Sequence, residues 1–249
     1  MAPLTGVETI TPASPEFTNA VQSLVDPAIL PDIQSILAFC YVLRNNSAKT
    51  IIVYSTRWAL TDGSGRVISH DSTWWNLATL QGGDAIGPGA SRFVSPIFRL
   101  GMSRVGPTGP ALALAVQRTL AAFAPKAEVD VSLETVVFSD GIALGRDATN
   151  AVAQARGYLD AERQLSDLIS QTSAAGGDVA QLLTSSMPAR SSPPIFQGSN
   201  PPGYDDTLSR HRQVVVSLLL KRIQVGSPNP VEAFQRNIAM KRYLTIVPQ

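Results

Sequence analysis

Between residues 33 and 147 the apolar positions of this chain recur every second residue, and beyond Asp147 they recur every three to four. A period of two belongs to a β-strand, whose successive side chains point to opposite faces; a period near 3.6 belongs to an amphipathic helix. By pattern alone the chain divides into a β half and a helical half. The stretch 33–65 carries the clearest signal, two apolar runs separated by Asn45-Asn46-Ser47 and closed by Asp62-Gly63-Ser64-Gly65. The first run predicts a strand over 36–43. Ile36, Cys40 and Val42 share one face, and Leu37, Phe39, Tyr41 and Leu43 share the other. Apolar residues on both faces require cover on both sides, and the helices after Asp147 are the expected second cover. The second run predicts a strand over 49–61, with Ile52, Tyr54, Thr56, Trp58 and Leu60 in one row. Asn45-Asn46-Ser47 reads as a hairpin turn, and Asp62–Gly65 supplies residues tolerant of positive φ for the next reversal.

The same logic predicts strands over 66–77, 91–98 and 127–138, with 142–144 pairing back after Asp140-Gly141. Residues 111–124 alternate at Leu112, Leu114 and Val116 but are rich in Ala, and we read them as helix. A short helix fits 17–24, and longer ones fit 147–171, 178–187 and 205–225. A last helix opens at Asn229-Pro230, a capping residue followed by a proline suited to the first turn. The expected fold class is α+β: an antiparallel immunoglobulin-like β-sandwich with a C-terminal helical region. The expected organisation is a proline-rich lead-in at 1–32, the sandwich at 33–147, and the helical region at 148–249. A proline-rich connector at 188–204 interrupts the last of these. No internal repeat is visible.

Composition narrows the function classes. Charged residues make up 16% and the formal net charge is +1, too little basic excess for a general nucleic-acid binder. Sixteen of the twenty cations are Arg, a bias of GC-rich bacterial coding. The single Cys40 rules out an intramolecular disulfide and a cysteine-based zinc site, and its place in an apolar run makes it a buried hydrophobe. No run reaches the ~18–20 apolar residues of a membrane helix. The first residues show neither the basic nor the apolar region of a signal peptide.

Candidate chemistry is sparse. The two histidines, His70 and His211, fall in different halves, and His70 and Asp71, adjacent on a strand, point to opposite faces. Neither a GxSxG elbow nor a phosphate loop is present, and we assign no catalytic residue, metal ligand or cofactor. Asp140–Asp147 lacks the dense alternation of acids in a calcium loop and reads as a turn. The best interaction feature is Trp74-Trp75 with Arg66 and His70 nearby. An exposed Trp there is suited to stacking on a sugar or anchoring a protein partner.

Two segments together, TRWALTDGSGRV at 56–67 and VSLETVVFSDGIALGRD at 131–147, resemble bacterial proteins, notably of acidobacteria, with an immunoglobulin- or fibronectin-like sandwich followed by helices. The resemblance implies a sandwich; its motifs are structural, and no activity or functional residue carries over from it. Cys40 and Trp58 would then lie on neighbouring strands, without the second cysteine of the disulfide-pinned pattern. The expected function is a non-enzymatic interaction module binding a protein or carbohydrate partner, placed in the periplasm or outside the cell. The alternative is a hydrolase of carbohydrate or another polymer whose carboxylates assemble only in the fold. A third reading has Arg210, Arg212, Lys221 and Arg222 contacting an acidic partner or membrane surface, which requires all four on one exposed helix face.

Overall fold

The computed structural model describes residues 4–75, 85–97, 109–126, 128–186 and 203–240, the side chains of 70–75 and 239–240 excepted. The protein is α+β and divides into two compact units, the chain passing from the first to the second at Thr149/Asn150. Unit 1 holds two antiparallel sheets. Strands β1 (Val7–Ile10), β2 (Tyr41–Asn45) and β5 (Ser91–Val94) form one, in the order β1-β2-β5. Strands β3 (Ile51–Thr61), β4 (Val67–Trp75), β6 (Glu128–Phe138) and β7 (Ala143–Gly145) form the other, in the order β4-β3-β6-β7.

One apolar core joins the two sheets. Tyr41, Leu43 and Val94 of the first sheet meet Tyr54, Trp58, Leu60, Val136 and Phe138 of the second. Trp58 is wholly buried, and its indole N–H donates to the Phe39 carbonyl at 2.8 Å. The Tyr41 and Thr56 hydroxyls bond each other between the sheets. The opposite face of β2 feeds a second core. There Cys40, Val42 and Phe93 pack with Phe17 and Val21 of α1 (Phe17–Leu24) and with Leu112 and Val116 of α3 (Pro110–Phe123). Ile33, at the end of the short α2 (Leu30–Ile33), and Ile36 complete it. The run that is apolar on both sides is thus covered twice. Its second cover comes from helices ahead of Asp147, where the pattern led us to expect the helices after it.

Three expectations are corrected by this arrangement. Residues 36–43 are not one strand: Gln34–Phe39 winds as a 3-10 helix, and β2 starts only at Tyr41. Eight consecutive apolar residues fit either conformation, and the Cys40 thiol, donating to the Ile36 carbonyl at 3.2 Å, marks the last helical turn. Asn45-Asn46-Ser47 is not a hairpin turn, since β2 and β3 lie in different sheets. Asn45 is fully buried and its amide donates to the carbonyls of Lys49, Ile86 and Gly87, while its oxygen accepts from Ser47. The proline-rich first 32 residues, finally, supply β1 to the first sheet and Phe17 and Val21 to the second core.

Unit 2 is helical: α4 (Ala151–Ala174), α5 (Val179–Ser185), α6 (Tyr204–Gln224) and α7 (Pro230–Met240). Leu165, Ile169, Leu183, Val215, Leu219 and Phe234 form its core. Gly157 brings α4 and α6 together closely, because a Cβ there would stand 2.8 Å from the Tyr204 carbonyl oxygen. Most of the expected connector at 188–204 lies outside the described residues.

Candidate functional site

The sequence candidates gather on one structural element, β4. The turn Asp62–Arg66 delivers the chain into it. The Asp62 carboxylate accepts from the Ser64 hydroxyl at 2.6 Å and from the N–H groups of Ser64 and Arg66 at 2.9 and 3.0 Å. These bonds, the Ser64 hydroxyl first, hold its carboxyl below the usual range. Gly65 takes φ +81, and the Asp62 N–H donates to the Arg66 carbonyl at 2.9 Å, closing a three-residue hairpin loop. Arg66 itself is exposed at the start of the strand.

From there β4 pairs with β3 residue by residue, His70 opposite Trp58, Trp74 opposite Tyr54 and Trp75 opposite Val53. The side chains of His70, Trp74 and Trp75 lie outside the described residues. Backbone placement still decides one point: at ~3.3 Å per residue, Arg66 and Trp75 stand about 30 Å apart. The four candidates therefore line an edge and do not converge on one spot.

That edge is distinctive. Sheet edges present unpaired N–H and C=O groups, and proteins blunt them with short strands, prolines and lysines. The other edges, β1, β5 and β7, run four, four and three residues. Strand β4 runs nine, contains no Pro or Lys, and has no strand on its outer side among the described residues. Its first two residues are apolar and exposed, Val67 at 58% and Ile68 at 41%. Neighbours on a strand point to opposite faces, so the apolar exposure straddles the edge.

Two buried carboxylates were not foreseen. Glu134 is the extra residue of a β-bulge where β6 shifts register against β3, between the Thr135–Ser55 and Leu133–Thr56 pairs. It is 4% exposed and accepts from the Ser132 hydroxyl at 2.6 Å. Glu162, on α4, lies 3.0 Å from Nε2 of His211 on α6, and the Tyr158 ring stacks on that imidazole at 4.0 Å. Burial, with the Glu162 charge adding to it, pushes the Tyr158 phenol up. Side-chain exposures of 1% and 8% shut Glu162 and His211 off from a solvent-borne substrate, and the two form a buried polar pair inside the core of unit 2. The available signal was an acid inside the apolar stripe Tyr158, Glu162, Leu165, Ile169.

Other candidates disperse. Helix geometry puts Arg210 and Lys221 about 20° apart around α6 but turns Arg212 roughly 180° away from Lys221. The four cations thus do not share one face. A groove of about 250 Å³ beside α1, walled by Phe17, Val21, Leu30 and Leu37 with Gln22 and Gln34, carries no carboxylate. Among the described residues no His/Cys/Asp/Glu group is arranged to hold a metal ion, and no helix is long and apolar enough to cross a membrane. Comparison with protein-family models, curated proteins and solved structures gives no match.

Proposed function

We propose that unit 1 is an immunoglobulin-like sandwich, of the bacterial kind its sequence resembles, and that it works as a non-enzymatic interaction module. Its partner is a polypeptide that adds an extended strand along β4. The strand distribution supports the first part. First, second and fifth strands share one sheet; third, sixth and seventh share the other, with the fourth beside the third as C′ stands in variable-type domains. Trp58 on the third strand, buried in the core between the sheets, supports it too. Cys40 departs from the pattern, since it packs in the core on the far side of β2 from Trp58.

The observation that carries the function is the length and exposure of β4. Main-chain bonds to an open edge supply affinity, and side chains at alternate positions supply selectivity. A photo-crosslinking residue at Ser69, in the source cell, tests it. The expected adduct is a polypeptide captured within an extended segment. A glycan, a nucleic acid or no adduct at all overturns the proposal.

A further inference from the structure

Building on the edge reading, we propose that the strand received by β4 is β4 of a second copy of this chain, paired antiparallel about a two-fold axis midway between the two Asp71 residues. Two four-stranded sheets then become one continuous sheet of eight. The Asp62 N–H donates to the Arg66 carbonyl, so Asp62–Arg66 is a hydrogen-bonded pair of the β3–β4 ladder. Such pairs alternate along an antiparallel ladder. Ile68, His70, Ser72 and Trp74 thus bond inward to β3, while Val67, Ser69, Asp71, Thr73 and Trp75 aim their N–H and C=O groups outward.

Symmetry restricts what those outward groups can meet. A two-fold axis perpendicular to a sheet leaves its faces unexchanged, and opposed residues of an antiparallel pair share a face. One residue must therefore stand opposite its own copy, with the axis midway between the two.

The sequence then chooses the residue. Read from either end, VISHDSTWW carries the same classes: two apolar, a hydroxyl, a polar centre, a hydroxyl, two apolar. Centred on Asp71, Val67 stands opposite Trp75 of the second copy, Ile68 opposite Trp74, and Ser69 opposite Thr73. Aromatic with β-branched and hydroxyl with hydroxyl are favourable cross-strand pairs. The pairing uses every outward group of the strand, about ten N–H···O bonds in all. Centring on His70 sets Val67 and Ile68 against Thr73 and Ser72. Centring on Ser72 sets Ser69 against Trp75 and leaves Val67 unmatched. Only the Asp71 register covers the exposed Val67 and Ile68 with apolar partners.

Its one unfavourable pair is Asp71 against itself. Two carboxylates face to face weaken the dimer and keep it reversible.

The test is a concentration series of the full chain by analytical ultracentrifugation, with three variants. The unaltered protein gives a monomer–dimer equilibrium. Asp71→Asn removes the opposed charges and tightens it by about five-fold. Ser69→Pro deletes an outward N–H without touching the β3 ladder, and yields a monomer with unchanged far-UV circular dichroism. Asp71→Cys crosslinks to itself in a glutathione redox buffer, because a hydrogen-bonded pair sets Cα atoms ~5.5 Å apart, within disulfide reach. Cys40, 1% exposed, does not compete. Ser69→Cys alone gives no disulfide-linked dimer but does so when mixed with Thr73→Cys. A protein monomeric at every concentration, or a dimer indifferent to Ser69→Pro and to Asp71→Asn, overturns the self-pairing. If that monomer still captures a different polypeptide from position 69, the edge reading stands and only the second copy is excluded. If it captures none, both fall.

Discussion

The hydrogen bond between Tyr41 and Thr56 is a buried polar tie between the two sheets, and its removal makes a quantitative prediction. Tyr41 is 1% exposed and Thr56 is fully buried, so neither hydroxyl finds water when its partner is lost. Tyr41→Phe leaves the Thr56 hydroxyl without the phenol and Thr56→Val leaves the phenol without the hydroxyl. Each orphaning costs about 1–3 kcal/mol. The double variant preserves both shapes and removes both polar atoms, so it returns to within about 1 kcal/mol of the original. The two substitutions are therefore strongly non-additive, with a coupling of the order of the single effects. Urea unfolding followed by tryptophan fluorescence is the assay. Trp58, Trp74 and Trp75, the only tryptophans of the chain, all belong to unit 1, so the signal reports that unit alone. A double variant whose loss equals the sum of the singles would refute the reasoning, showing that the hydroxyls do not depend on each other.

Two further outcomes follow from burial and close approach. Burial pushes the Tyr54 phenol up to about 12, the Tyr41 phenol higher still, and the Cys40 thiol up to about 12. Above pH about 10 the unfolded phenols ionise while the folded ones stay protonated, so the unfolded chain binds fewer protons. The two phenols thus cost unit 1 nothing below that pH and about 1.4 kcal/mol each per pH unit as the pH rises toward 12. The Cys40 thiol adds a like loss that starts about one pH unit lower, from its ordinary value of 9.0. Tryptophan-monitored stability from neutral to alkaline pH checks this, and a flat profile contradicts it. Gly157→Ala, elsewhere in a helix a gain of about 1 kcal/mol, drives a methyl against the backbone of α6. It should instead destabilise unit 2 by about 1–3 kcal/mol. Thermal unfolding followed by helical circular dichroism would show the opposite sign if α4 and α6 did not meet there.

What was legible beforehand, and what was not, follows the range of the forces involved. Helices α3, α4 and α6 each bury a stripe and β3 alternates buried and half-buried residues over 57–61, and one-sided burial writes a period into the sequence, although 51–56 of β3 and 134–138 of β6 are buried on both faces. Residues 36–43 are apolar on both sides, so no period distinguished the 3-10 helix from the strand after it. The reversal at Asn45 has the composition of a turn, but local composition says nothing of whether a chain returns within its sheet or crosses to another. Strand β1 is four residues in a proline-rich context, selected by pairing with β2 and not by its own propensity. The open edge of β4 was half legible. The tryptophans pointed to the strand, while its lack of an outer neighbour among the described residues is a property of strand order. Glu162 and His211 lie 49 positions apart, and only the packing of α6 on α4 joins them.

Asn45 has a consequence for how this protein can vary. One side-chain amide reads the carbonyl of Lys49 four positions onward and those of Ile86 and Gly87 some forty positions onward. Lengthening the 46–48 segment by one residue moves the first of these out of reach, and shortening the chain around 87–90 moves the others. Loops between sheets are ordinarily where insertions and deletions accumulate. Here a single side chain acts as a length gauge on two of them. Variants of this protein that fold should keep both spans invariant for as long as position 45 remains asparagine.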